Sequence, residues 1–320
     1  MHVWRAWENT ATDTAYYLAA VAYKYRCTGD PQDLAICRRT FGALKYIFSL
    51  TAEKGETGRL CKPYGGVYSN QSSGDQTQCV TWGLAAYRSI APPEDLADLN
   101  TIVEHAAQYN IKTEYIEPHG YFGWTPKMLR DGNLGDEKWS KATWSYALIF
   151  VTQLNLAWQA TGDARFLQEI QRWCDACGLD KRPTGGPQRD IYLSALMMEM
   201  DPVHHEVWRN IMLTAFSSAT SGILLDGTHE GLVGRSAITA MGCATAQRWS
   251  PDVDMTSVAR HILEKLDEDT FRFVRPGTKP PWAGAGETVT EWQIEGKLID
   301  GDSLTAWLCA FWEGRWRGYW

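Results

Sequence analysis

Residues Trp144–Gln159 read WSYALIFVTQLNLAWQ; after the turn Thr161-Gly162-Asp163 the chain continues as ARFLQEIQRWCDAC, Ala164–Cys177. The first stretch carries no charged residue, whereas the second places Arg165, Glu169, Arg172 and Asp175 among its apolar positions. A helix that is apolar all round must be enclosed by other structure, and a helix with one charged side lies at a surface. Gly and Asp between them suit the end of one helix and the cap of the next, so the pair reads as an inner and an outer helix of one αα-hairpin.

The contrast recurs along the chain. Thr14–Tyr25 is poorer in charge than Asp33–Leu50, and Ser236–Trp249 is poorer than Val253–Glu268. Short turns with the same chemistry stand at Thr28-Gly29-Asp30-Pro31, Ala91-Pro92-Pro93-Glu94-Asp95, Asp201-Pro202 and Ser250-Pro251-Asp252. Alternating runs of the strand type are scarce, which makes the fold class all-α. Five hairpins plus an eleventh helix near Ser303–Trp312 are expected, with a twelfth, outer helix missing or vestigial. A ring of inner helices inside an outer ring encloses every apolar helix at once, so residues 1–320 are expected to form a single toroidal domain. An open solenoid of helical pairs is the alternative.

Composition narrows the partners. The chain has 320 residues, 44% of them hydrophobic, and a formal net charge of −7. With no basic run there is no patch to neutralise phosphates, so no nucleic-acid partner is expected. No stretch has the roughly 18–20 apolar residues of a bilayer span, and Met1-His2-Val3-Trp4 does not resemble a secretory signal. A cytoplasmic location, with no membrane partner, is therefore expected. Of the eight cysteines, Cys27, Cys37, Cys79, Cys174, Cys243 and Cys309 fall within helical patterns and read as buried thiols. Cys174 and Cys177 have CxxC spacing, but no second half-site follows, and no metal site is expected. The 16 tryptophans suit either a large core or platforms for sugar rings.

If the tight turns share one rim, the longer connections share the other: Gly55–Gly74, Pro118–Lys138, Leu179–Arg189, Ser221–Gly234 and Thr270–Ile299. These hold Tyr64, Tyr68, His119, Tyr121, Trp124, His229, Glu230, Trp282, Trp292 and several carboxylates. Loops of this length carry function more often than short ones. Each also leads to the start of an inner helix, where Asp13, Asp75, Asp190, Asp300 and Asp302 stand. Asp at such a position is a favoured N-cap, so capping competes with catalysis for each of them.

Two openings sharpen the reading. Glu8-Asn9-Thr10-Ala11-Thr12-Asp13, leading to Leu18-Ala19-Ala20, and Gln71-Ser72-Ser73-Gly74-Asp75-Gln76, leading to Trp82-Gly83-Leu84, resemble inner-helix openings of the six-hairpin glycosidase superfamily. The loop His119-Gly120-Tyr121-Phe122-Gly123-Trp124-Thr125-Pro126 resembles one that follows the second hairpin in such proteins. The resemblance covers the whole chain at the level of architecture and implies the (α/α)6 toroid. It also implies, distantly through the unsaturated glucuronyl hydrolases, carboxylate catalysis at the inner-helix starts. Asp75 is then the first candidate for acid or base and Asp13 its partner.

The expected function is a glycoside hydrolase acting on an oligosaccharide, uronate-containing ones included, without metal or organic cofactor. One carboxyl group must donate a proton to the leaving oxygen while a second activates water or attacks. His229-Glu230, on a Gly-rich stretch, is the outside catalytic candidate, because a His beside an acid can shuttle protons near neutral pH. Trp124, His119, Tyr121, Arg235, Asp190, Trp292 and Tyr64 are the substrate-binding candidates, with Arg235 and Arg189 able to pair with a uronate carboxylate. Three other classes compete: a polysaccharide lyase using Tyr or His with Arg, a sugar epimerase, and a carbohydrate-binding toroid without catalysis. An epimerase would favour paired histidines on inner helices, and the chain offers few.

Overall fold

A computed structural model describes residues 10–63, 66–115, 137–177, 187–201, 203–220, 233–266 and 301–320, apart from the side chains at 75, 137–146, 176, 177, 233–235 and 301–303. Eleven α-helices occupy most of these residues, and no strand occurs among them. In chain order they are α1 Thr10–Thr28, α2 Pro31–Ala52, α3 Gly74–Arg88, α4 Pro93–Lys112, α5 Glu137–Thr161 and α6 Ala164–Cys177. The rest are α7 Pro187–Met200, α8 His205–Thr220, α9 Val233–Ala246, α10 Met255–Lys265 and α11 Gly301–Trp316. A 3-10 turn, Gln247–Trp249, follows α9.

Two hairpin turns are built alike because they share the triplet Thr-Gly-Asp. Gly29 takes a φ of +64° and donates to Tyr25 O at 2.8 Å; Gly162 takes +71° and donates to Trp158 O at 2.7 Å. Glycine suits this left-handed helix end because it carries no Cβ. The amide of the following Asp donates to the Thr hydroxyl in both, at 3.1 Å. Each Asp then caps the next helix, Asp30 accepting from Gln32 N at 2.8 Å and Asp163 from Arg165 N at 2.9 Å. Pro31 at the first position of α2 loses nothing there, since that N–H has no partner within the helix. Ser73 caps α3 and Asp254 caps α10 by accepting from the amide three residues on, Gln76 N and Ser257 N.

The odd-numbered helices are the enclosed ones. In α7 every residue from Asp190 to Met198 is buried, and in α1 every residue from Leu18 to Tyr23 is buried together with Ala11, Thr12, Ala15 and Tyr16. The even-numbered helices bury single stripes: α2 through Asp33, Cys37, Thr40, Leu44, Ile47 and Thr51, and α4 through Asp95, Leu99, Val103 and Ala106. That difference follows from the charge contrast in the sequence. α1 packs against α3 and α11, α5 against α3 and α7, and α9 against α7 and α11. On the outside, α2 packs on α1, α4 and α6 on α5, α8 on α7, and α10 on α9.

Small residues set how closely the enclosed helices approach. A Cβ on Gly83 of α3 would lie 2.5 Å from Ala15 O of α1, and one on Gly242 of α9 would lie 2.9 Å from Ile191 Cβ of α7. After α11 the chain turns back on itself. The Trp320 ring lies over Gly314, its Nε1 donates to Phe311 O at 3.1 Å, and Arg260 of α10 donates to Tyr319 O at 2.6 Å.

Several expectations move. Helix α7 begins at Pro187, so Arg189 stands in its first turn instead of ending a loop, beside Asp190, which was expected at a helix start; Gly234 likewise lies inside α9. Cys27 is exposed, not buried, because it sits in the last turn of α1 beyond the packed stretch; its thiol donates to Trp312 O at 3.6 Å. Cys174 is half-buried, whereas Cys37, Cys61, Cys79, Cys243 and Cys309 are buried and unbridged. Burial pushes the Cys37 thiol up to about 12 and raises the others among them for which a shift is resolved. The thiols so shifted, of Cys37, Cys61, Cys243 and Cys309, stay protonated at neutral pH.

Candidate functional site

Tyr16 of α1 and Tyr192 of α7, 176 residues apart in sequence, meet with their hydroxyls 3.3 Å apart and their rings edge-on. Trp82 of α3 packs on Tyr192 at 5.2 Å between centroids and on Tyr23 at 6.5 Å, so aromatic rings fill the space that α1, α3 and α7 share. Cys79 lies beside both phenols. Burial pushes both tyrosines well above the ordinary value, with Arg189 pulling weakly the other way. Both are neutral phenols at physiological pH and neither can act as a base.

This aromatic layer gives the candidate acids a reference plane. Asp13 precedes Tyr16 by three residues on α1, Asp75 precedes Cys79 by four on α3, and Arg189 precedes Tyr192 by three on α7. Residues three or four apart share a helix face, so these three positions stand about one turn, roughly 5.4 Å, toward the helix starts from the layer. Asp190 is 1% exposed and shares its face with Ser194 and Met197, so it does not share the stripe of Arg189 and Tyr192. Arg235 falls in the first turn of α9. Tyr64, His119, Tyr121, Trp124, His229, Glu230 and Trp292 lie outside the described residues, as do the side chains of Asp75 and Arg235. Among the described residues no three His, Cys, Asp or Glu side chains gather as a metal-binding group.

A second feature lies at the opposite helix ends. A cavity of about 190 Å³ is lined from the last turns of all six enclosed helices: Arg26 of α1, Ser89 after α3, Gln159 of α5, Glu199 of α7, Thr245 of α9 and Trp316 of α11. Tyr23, Trp82, Arg88 and Arg317 complete its polar and aromatic wall. The guanidinium groups of Arg26 and Arg317 lie 4.2 Å and 4.4 Å from the Trp316 ring centroid, and Trp316 stacks on Tyr23 at 5.6 Å.

Beneath this wall Glu313 is fully buried. It accepts from Thr245 Oγ1 at 2.7 Å and from Arg317 Nε at 2.8 Å. Burial pushes its carboxyl above the usual value, outweighing the opposite pull of Arg317 and Thr245. Glu199 is paired with Arg248. The sequence reading placed all chemistry at the helix starts and missed this end. The signal was present as charged residues, Arg26, Arg88, Glu199, Glu313 and Arg317, at the last turns of otherwise apolar helices.

No family model, curated protein or solved structure matches the chain. No helix among the described residues is long and apolar enough to cross a membrane.

Proposed function

We propose that the enclosed helices close into an (α/α)6 toroid with one outer helix fewer than the full set, and that the protein is a glycoside hydrolase working at their N-terminal ends. In support of the ring, the six odd-numbered helices pack in succession, α11 returns to α1, and all six contribute their last turns to one cavity. In support of the site, Asp13, Asp75 and Arg189 stand on the helix faces that meet at the Tyr16–Tyr192 contact. That convergence carries the reading.

The chemistry assigned to it is general acid–base catalysis on a glycosidic bond. A carboxyl group above a dry aromatic floor is held protonated more readily than one in water, which is what a proton donor requires. Asp75 takes the role of acid or base and Asp13 that of its partner. Arg189 pairs with the carboxylate of a uronate residue, a planar fork meeting a planar anion. His119, Tyr121, Trp124, Tyr64, Trp292, Arg235 and the His229-Glu230 pair are proposed to bound the substrate from the loops.

The test is product analysis against neutral and uronate-containing oligosaccharides. Hydrolysis releases a reducing end without new ultraviolet absorbance, a lyase creates an absorbing unsaturated uronide, and a binding protein yields no product. On the substrate identified, Asp75→Asn and Asp13→Asn are each expected to lower kcat by at least about 100-fold. Unchanged turnover in both variants refutes the assignment.

A further inference from the structure

We propose that the cavity at the C-terminal ends of the enclosed helices binds a small anion, a carboxylate or phosphate group, with Arg26 and Arg88 supplying the positive charge. The cavity measures about 190 Å³, far more than the roughly 10–15 Å³ that a single water needs. Its charges do not balance internally. Arg317 is paired with Glu313, and Glu199 with Arg248, whereas Arg26 and Arg88 have no carboxylate partner among the described residues.

Arg26 is the sharper case. Its guanidinium stacks on Trp316, and its Nε is buried with no acceptor. The half-buried Arg26 side chain lines the cavity, and an anion there supplies the counter-charge that no carboxylate among the described residues gives it. Arg88 uses Nε on Asn100 Oδ1 at 3.3 Å and Nη2 on Gln159 O at 2.8 Å, both neutral acceptors. Burial lowers its pKa, in keeping with a cation that lacks a counter-charge.

Helix C-termini concentrate partial negative charge, which explains why arginines gather here. Two of the six termini are also met by direct bonds, Arg88 to the Gln159 carbonyl of α5 and Gln159 Nε2 to Met200 O of α7 at 3.3 Å. Arg26 and Arg88 both line the cavity. Tyr23, Trp82 and Trp316 supply ring surface for a short organic body on the anion.

This site is independent of the proposed hydrolysis, which lies at the other helix ends. Isothermal titration at low ionic strength with inorganic phosphate and with glucuronate, and with glucose as the neutral control, tests it. Saturable uptake of phosphate or glucuronate that Arg26→Gln weakens and Arg189→Gln does not is expected, with none of glucose; uptake lost in Arg189→Gln and kept in Arg26→Gln belongs to the proposed uronate position and overturns this site. Which anion is taken separates a phosphate site from a sugar-acid site. Arg26→Gln and Arg88→Gln should each weaken binding by about tenfold or more. Arg88→Gln also removes a bond to α5, so Arg26→Gln, with helicity checked by circular dichroism, is the deciding variant. The proposal is overturned if neither anion binds, if glucose binds equally well, or if a folded Arg26→Gln binds as the wild type does; a water then serves Arg26.

Discussion

Replacing Gly83 by Ala tests whether α1 and α3 are held at the contact distance described. The added Cβ would sit 2.5 Å from Ala15 O, 2.9 Å from Ala15 Cα and 3.0 Å from Ala15 C, all backbone atoms that no rotamer change can move aside. Ordinary contact begins at 3.4 Å, so the helices must separate locally by about 0.9 Å or α1 must bend. Overpacking of this kind costs about 1–3 kcal/mol. Against it stands the better helix propensity of Ala, worth about 1 kcal/mol. The net expectation is a loss of up to about 2 kcal/mol, lying toward the upper end because the clash is with backbone. Gly42, inside α2 with nothing within 4 Å of its would-be Cβ, is the control; there Ala should stabilise by up to about 1 kcal/mol. Guanidinium unfolding followed by tryptophan fluorescence and by circular dichroism reads both changes. If Gly83→Ala unfolds at or above the wild-type midpoint while Gly42→Ala is stabilised, the close packing of α1 on α3 is wrong. The proposed placement of Asp13 relative to Asp75 then fails with it.

Other outcomes follow from local geometry. Gly29→Ala and Gly162→Ala should destabilise equally, by about 1–2 kcal/mol each, because the two turns share one backbone and one hydrogen-bond pattern; unequal midpoint shifts would contradict the repeat. Asp201 accepts from Trp208 Nε1 at 3.0 Å and from His204 N at 3.3 Å ahead of α8. Asp201→Ala should therefore cost about 2–4 kcal/mol, from an indole left buried without an acceptor and a lost cap, measured as a drop in denaturation midpoint. Glu313 has a folded pKa above its ordinary 4.5, so folding favours its protonated form. Its contribution is fully present below the unfolded value and is lost as pH rises through the folded one. The stability of the wild type minus that of Glu313→Gln should accordingly shrink as pH climbs from about 4.5 toward neutrality; a difference that widens with pH refutes the burial-driven shift.

The sequence by itself determined the helices and which of them are enclosed. Ala164–Cys177 is found as read, and Trp144–Gln159 lies wholly within α5, because local chemistry suffices: a cap, a glycine at positive φ and a one-sided or all-round apolar pattern. Helix starts were less legible. Pro187 opens α7 from within what reads as loop, moving Arg189 into the helix ahead of Asp190, since proline at the first helical position looks the same in sequence as proline in a turn. Cys27 shows the converse limit, an apolar position at a helix end that the packing does not reach.

What only the tertiary structure decided is which polar residues face one another. Tyr16 and Tyr192 touch, and Arg26, Arg88, Glu199 and Trp316 share a cavity, although they come from different helices far apart in the chain. Periodicity fixes the angle of a residue around its own helix axis but says nothing about the rotation and depth of that helix against its neighbours. Those are set by contacts such as Gly83 against Ala15 and Gly242 against Ile191. The sequence supplies those glycines, but only close packing reveals what each one lets approach.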